Sequence, residues 1–191
     1  MVPKVVVPLL VALALTATAC SDKGTSDKVT VESKPYVDAL VTDLLDHGVG
    51  DLDITATEAR CLAPRWVNVL QPARLEAAGV KASALRRDAG FDTKAAKVPL
   101  SDAEVDKLVE AFGDCQIDLE QSYIDHATAG APLSPDDRAC LQDALPDDLI
   151  RRMVGIELTQ GDAAVDQDAK LSGELFAALS ACPGAIDLGG T

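Results

Sequence analysis

The sequence has few aromatic and few basic residues, and each shortage excludes a class of structure or partner. Aromatic residues make up 3% of the 191 positions and apolar residues 48%, so aliphatic side chains must supply most of any core. A chain rich in alanine and leucine favours helices over sheets. Lys and Arg number 17 against 31 Asp and Glu, a net charge of −14. Such a surface repels phosphate backbones, so we expect no nucleic-acid partner.

The chain also lacks the patterns of a catalytic or metal centre. It has two histidines, His47 and His126, and no nucleophile elbow, phosphate loop or dinucleotide fingerprint. The acids that begin at residue 51 resemble the start of a calcium loop, but Ala56 stands where the turn glycine belongs and Leu62 where the bidentate glutamate belongs. We therefore predict no catalytic residue, no metal site and no cofactor, and a protein that is not an enzyme. Trp66, the single tryptophan, is expected in the core.

The N-terminus has no charge between Val5 and Ala19, after the single basic residue Lys4. This apolar run is shorter than the roughly 20 residues that a membrane-spanning helix needs. A basic start, a short apolar segment and small residues at the end are typical of a secretion signal. We predict a signal peptide at residues 1–19.

The stretch ATAC at residues 17–20 resembles the lipobox of bacterial lipoproteins, with Ala17 where that family prefers leucine. The resemblance implies cleavage after Ala19, a diacylglyceryl group on the Cys20 thiol, and acylation of the new amino terminus by a fatty acid such as palmitate. The alternative is an ordinary small-residue cleavage site, which would release the protein. The polar residues that follow favour the anchored form, because a lipoprotein needs a tether. We assign residues 20–34 to the lipidated cysteine and a disordered polar tether.

The four remaining cysteines are Cys61, Cys115, Cys140 and Cys182. An exported protein lies in an oxidising compartment, so an even number of cysteines indicates two disulfides. Four cysteines allow three pairings, and their spacing does not choose among them. A four-thiolate zinc site is the rival interpretation, and the lack of a Cys-x-x-Cys pair counts against it.

Three sequence pairs recur in the same order in the two halves of the chain. ITATEARCL at 54–62 matches LSPDDRACL at 133–141, LVEAFGDCQIDL at 108–119 matches LFAALSACPGAIDL at 175–188, and PYVDAL at 35–40 matches SYIDHA at 122–127. We interpret them as two repeats, at residues 35–119 and 120–188. Equivalent bonds in each repeat favour the pairs Cys61–Cys115 and Cys140–Cys182.

Helical signals recur along the chain, and no segment shows the sustained alternation of a strand. Apolar residues from Val105 to Leu119 repeat at spacings of three and four, as on one face of a helix. Thr55, Ser101 and Ser134 each precede an acid by three residues, the pattern of a capping box. Prolines mark boundaries: Pro64 and Pro146 should end or kink helices, and Pro72 should begin one, which Gly79 closes. The predicted fold class is all-α, a disulfide-stapled bundle of two tandem, roughly three-helix repeats.

The N-terminus, the alanine-rich helices and the paired cysteine units together resemble a small cell-envelope lipoprotein of actinobacteria. The resemblance implies a position on the extracytoplasmic face of the cell membrane, held by lipid on Cys20, and it implies no particular activity. We expect a structural or interaction role, with an envelope protein as a partner. The alternative is an extracytoplasmic binding module for a small apolar or cationic ligand, in a groove between the repeats.

Overall fold

The computed structural model describes residues 29–50, 52–85, 98–128, 133–161 and 163–182. Within these ranges the chain forms nine α-helices and a short 3₁₀-helix at Ala82–Leu85, and it contains no strand beyond one isolated bridge between Val49 and Leu52. The predicted all-α fold class is therefore confirmed. The α-helices are α1 at Lys34–His47, α2 at Ala56–Leu70, α3 at Pro72–Ala77, α4 at Asp102–Asp114, α5 at Leu119–Ala127, α6 at Pro135–Ala144, α7 at Asp147–Gln160, α8 at Ala163–Gln167 and α9 at Ala169–Ser180.

Both disulfides form between the cysteines that the sequence pairs. Cys61 in α2 is bonded to Cys115 at the end of α4, and Cys140 in α6 is bonded to Cys182 after α9. The Cα atoms lie 5.7 Å apart in the first pair and 5.8 Å apart in the second. Each bond therefore fastens an early helix to the end of a later one.

Side chains at the predicted caps fix three helix starts. The Glu58 carboxylate accepts the Thr55 N–H at 2.7 Å, and the Glu104 carboxylate accepts the Ser101 N–H at 2.8 Å. At the third start the Ser134 hydroxyl accepts the Asp137 N–H and donates to the Asp137 carboxylate, and no return bond to the Ser134 N–H forms. Aspartate is one methylene shorter than glutamate, which accounts for this incomplete box.

Two of the three proline predictions are confirmed, and the third is partly wrong. Pro72 begins α3, with Gly79 in the left-handed conformation just after it, and Pro146 separates α6 from α7. Pro64, however, does not end α2, which continues to Leu70. A proline removes one hydrogen bond from a helix. Buried side chains on both sides of Pro64, including Leu62 and Trp66, hold the helix together across that gap.

The first four helices contain more of the buried apolar residues than the last five. α1 and α4 both pack against α2. Trp66 of α2 is fully buried, as expected, and its Nε1–H donates to the Leu108 carbonyl of α4 at 2.9 Å. Its ring meets Phe112 edge to face, with 5.6 Å between the ring centres. A buried N–H with a partner and a T-shaped aromatic pair make the α2–α4 contact specific as well as apolar.

The last five helices are arranged around α7. This helix contacts α4, α5, α8 and α9, and it buries Leu149, Ile150, Met153, Val154, Gly155 and Leu158. By contrast, α6 buries only Leu141 and α9 only Leu171. Four of the described α-helices lie before or end at Asp114, and five follow it. The sequence predicted roughly three helices for each repeat. The extra helices include the short α3 and α8, and the two-repeat organisation stays a prediction.

Candidate functional site: an acidic groove between α4 and α7

An open groove of 380 Å³ follows the line along which α4 and α7 meet. Its floor is apolar and is made by side chains of α4, α7 and the start of α9. Val109 and Leu171 are buried, whereas Val105 and Ile156 are half-buried. The floor residues are Val105, Val109, Gly155, Ile156 and Leu171.

Gly155 explains why the two helices come close at this point. A Cβ atom on Gly155 would lie 3.3 Å from Cγ1 of Val105 and 4.0 Å from Cγ2 of Val109. The first distance is shorter than an ordinary van der Waals contact, so the Val105 side chain would have to shift by a few tenths of an ångström to admit a Cβ atom. The carbonyl of Gly155 accepts the Thr159 hydroxyl at 2.7 Å, which satisfies this hydroxyl within the groove wall.

Three carboxylates line the α4 side of the groove at intervals of four residues. They belong to Asp102, Asp106 and Glu110, and all three residues are exposed. Four residues advance a helix by about 6 Å, so the row is about 12 Å long. No ion pair within the described parts of the chain involves any of the three.

The opposite side of the groove has two arginines, and each already has an acidic partner. Arg151 pairs with Asp147 one turn earlier in α7, at 2.7 Å, and Arg152 pairs with Glu174 of α9. The hydrogen bond between Arg152 and Glu174 lowers the pKa of the glutamate and raises that of the arginine. Because these positive charges are matched, the row on α4 leaves the groove with an excess of negative charge.

Asp168 closes the end of the groove at the start of α9. Its carboxylate accepts the backbone N–H groups of Lys170 and Leu171, both at 3.0 Å. This N-cap orients α9 so that the buried side chain of Leu171 completes the floor.

The residues singled out from the sequence lie elsewhere. Cys20, the signal segment 1–19 and the tether up to residue 28 are outside the described residues, and so are positions 183–188 of the second predicted repeat. Residues 31–33 form a turn, and α1 begins at Lys34, one residue before the predicted boundary. No described helix is long and apolar enough to cross a membrane.

The two histidines occupy different surroundings. His47 ends α1, and its Nδ1 lies 3.4 Å from Oδ1 of Asp43, whose side chain is buried. His126 is exposed in the last turn of α5. Among the described residues, no three His, Cys, Asp or Glu side chains come together in a group that could hold a metal ion.

Matching positions in the predicted repeats do not have matching environments. The Tyr36 hydroxyl is buried and donates to the Val80 carbonyl at 3.2 Å, while Tyr123 is only half-buried. Burial and the nearby Glu76 carboxylate raise the pKa of Tyr36. The sequence match therefore does not predict the packing of the two tyrosines, which also differ in position: Tyr36 is the third residue of α1 and Tyr123 the fifth of α5.

Sequence reasoning offered a groove between the repeats as an alternative but did not identify the residues that line it, because the signal is spread over two distant segments. The spacing of the three acids on α4 is visible in the sequence, and so is the apolar stripe beside it. The contribution of α7 is not visible, because it depends on how α7 packs against α4 in the folded chain.

No protein-family model, curated protein or solved structure matches this chain.

Proposed function

We propose that this protein is a lipid-anchored lipoprotein of the extracytoplasmic face of the cell membrane, with a structural or interaction role in the envelope. The observation that carries the proposal is the pairing of the cysteines. The two disulfides engage four of the five cysteines and leave Cys20, directly after the small residues of the lipobox-like stretch.

Both disulfides support the proposal that the protein lies in an oxidising compartment. Disulfides that persist in a folded protein are common outside the cytoplasm and rare within it. A secretion signal at the N-terminus would bring the chain to such a compartment. Several acyl chains on one cysteine would then hold the protein at the membrane, because each buried methylene contributes about 0.8 kcal/mol.

The anchor is tested by replacing its thiol. We expect the full chain to sediment with membranes, and the variant Cys20→Ser to lose this association. Mass spectrometry of the wild-type N-terminal peptide should show a modified cysteine at its first position. Ser21→Ala is the matched control, because it changes the adjacent residue and keeps the thiol. Membrane association of Cys20→Ser, or an unmodified Cys20 in the wild type, would refute the proposal.

The groove favours a second candidate function, the binding of a cationic ligand that has an apolar part. Its floor offers apolar surface and its α4 edge offers three carboxylates without a cationic partner in the described residues. Small-molecule sites in proteins commonly combine an apolar lining with a few convergent polar groups.

Spermidine is a suitable probe, because it joins ammonium groups by short methylene chains. A ligand that binds only the folded state raises the melting temperature. We expect spermidine to raise the melting temperature of the wild type more than that of Asp106→Asn. An equal shift in both proteins would show that spermidine binds elsewhere.

A further inference from the structure

We infer that the groove between α4 and α7 docks a basic, amphipathic helix of a protein partner. This inference rests on the second candidate function, since it specifies the cationic ligand that the groove takes. The occupant would place aliphatic side chains on the floor at Val109, Ile156 and Leu171 and basic side chains along the α4 edge.

The negative charge of the groove favours a positively charged partner. Arg151 and Arg152 are each held by a carboxylate of their own side, whereas the α4 edge has three carboxylates in a row. The whole chain has a net charge of −14, so a second copy of this protein would be repelled. Nucleic acids and anionic lipid headgroups are disfavoured for the same reason.

The spacing of the carboxylates matches a helical partner. Asp102, Asp106 and Glu110 recur once per turn of α4. Basic residues that recur every fourth position on a partner helix have the same repeat of about 6 Å, so a helix lying along α4 can meet all three. Amphipathic helices commonly bind by laying an apolar face into a groove, with anchor side chains at such spacings.

The size and openness of the groove also suit the side chains of a helix. A volume of 380 Å³ accommodates a few aliphatic side chains and is too small for a whole helix. The floor runs parallel to the carboxylate row, because Val105 and Val109 lie on α4 between the acids. A partner helix that is complementary to the groove therefore has an apolar stripe with basic residues along one side.

The carboxylate row also has no evident role in the fold. Acids at positions i and i+4 of a helix repel one another and reduce its stability. Asp102 lies in the first turn, where the helix dipole favours a negative charge, but Asp106 and Glu110 lie beyond it. A cationic partner would reduce the repulsion between these neighbouring acids.

The experiment measures the binding of a fluorescent peptide to the full-length protein in a neutral detergent. The peptide is about 15 residues long, a length typical of short helices, with lysine at every fourth position beside a leucine stripe. We expect the double variant Asp106→Asn/Glu110→Gln to bind it about tenfold more weakly than the wild type, since two exposed ion pairs are lost. The control Asp46→Asn/Asp143→Asn removes two exposed acids outside the groove and should change the affinity by less than about twofold.

A second peptide has the same composition in shuffled order, so that it has the charge but no apolar face. Weak binding of this peptide supports the inference, and binding equal to that of the ordered peptide overturns it. Equal loss of affinity in both double variants also overturns it, because general attraction to an acidic surface would then be sufficient. If spermidine binds in the groove and the ordered peptide does not, the helix inference fails and the second candidate function stands. If neither binds, both fail.

Discussion

The two disulfide-linked parts of the molecule are packed to different degrees. In the first part, helices α1 to α4 share a core with fully buried side chains on every long helix, among them Leu40, Leu62, Trp66, Leu108 and Phe112. In the second part only α7 is buried along its length. The outer helices α6 and α9 contribute one buried residue each within the helix, and α9 leaves Phe176 73% exposed.

This contrast separates two ways of holding a helix in place. Loops of 54 and 42 residues close at the two disulfides, and the chain-entropy model gives each bond about 4 kcal/mol of stabilisation. The two bonds are therefore nearly equal in their effect on the unfolded chain. In the folded state they differ, because α2 and α4 also meet through Trp66 and Phe112, whereas α6 and α9 share little buried surface.

Removal of each disulfide is the largest expected change. Cys61→Ser/Cys115→Ser and Cys140→Ser/Cys182→Ser should each lower the free energy of unfolding by about 4 kcal/mol. Hydrogen exchange should distinguish them. Loss of Cys140–Cys182 should expose the amides of α9 to rapid exchange while α2 and α4 remain protected. Loss of Cys61–Cys115 should leave α2 and α4 to exchange together, because their core contact persists.

The proposed difference in packing between the two parts would be wrong if the amides of α9 stay protected from exchange without the Cys140–Cys182 bond. The packing of Leu171 and of the half-buried residues of α9 would then be sufficient to hold the helix, and the second part would be as self-supporting as the first. Each double variant serves as the control for the other, since both remove one bond and introduce two serines.

Leucine truncation should give the next largest effect and should show the same asymmetry. Leu62→Ala in α2 removes a fully buried side chain and should cost about 3 kcal/mol, within the range for such cavities. Leu175→Ala in α9 removes a half-buried side chain and should cost about 1 kcal/mol. Urea unfolding of the purified variants measures both.

Leu62→Met is the control, because it keeps the volume of the side chain and should cost less than about 1.5 kcal/mol. A loss at Leu175 as large as that at Leu62 would contradict the assignment of α9 to the weakly packed part.

The sequence predicts features that depend on neighbouring residues better than features that depend on tertiary packing. Local signals predicted helix starts at Thr55, Ser101 and Ser134, because a cap depends on residues three positions apart. The exception at Pro64 shows the opposite case, in which burial on both sides of the proline overrides a local rule. The disulfide pairs were predictable because the matched motifs place each cysteine relative to a helix.

Burial and the residues that line the groove were not predictable, because they depend on contacts between distant segments. In the matched motifs Phe112 corresponds to Leu179, and yet the phenylalanine is fully buried and the leucine is only half-buried. The difference lies in what packs against them: α2 covers Phe112 with Trp66. Similarly, no local pattern indicates that Gly155 of α7 will meet Val105 of α4.

Loss of a surface ion pair should change the free energy of unfolding least. One such pair lies in each part of the molecule, so the pH dependence of the two losses can be compared. Arg74 of α3 holds Glu104 of α4 at 2.5 Å, and Arg152 of α7 holds Glu174 of α9. The Ser101 N–H and hydroxyl, together with Arg74, lower the pKa of Glu104 to about 2. The pKa of Glu174 is lowered by the hydrogen bond from Arg152. Both pairs therefore favour the folded state only while the glutamate is ionised.

The pH dependence of Glu104→Gln should be the stronger of the two. Glu104 has an ordinary pKa of 4.5 and a folded-state pKa of about 2, so its stabilisation is present above pH 4.5 and disappears as the pH falls towards 2. Glu104→Gln should thus unfold more easily than the wild type at pH 7 and equally easily near pH 2. Glu174→Gln should show a smaller difference at pH 7, because the side chains of its pair are about 40% exposed, against about a quarter for Arg74 and Glu104. Urea unfolding across this pH range tests both variants, and a deficit of Glu104→Gln that persists at pH 2 would mean that the glutamine disturbs packing rather than charge.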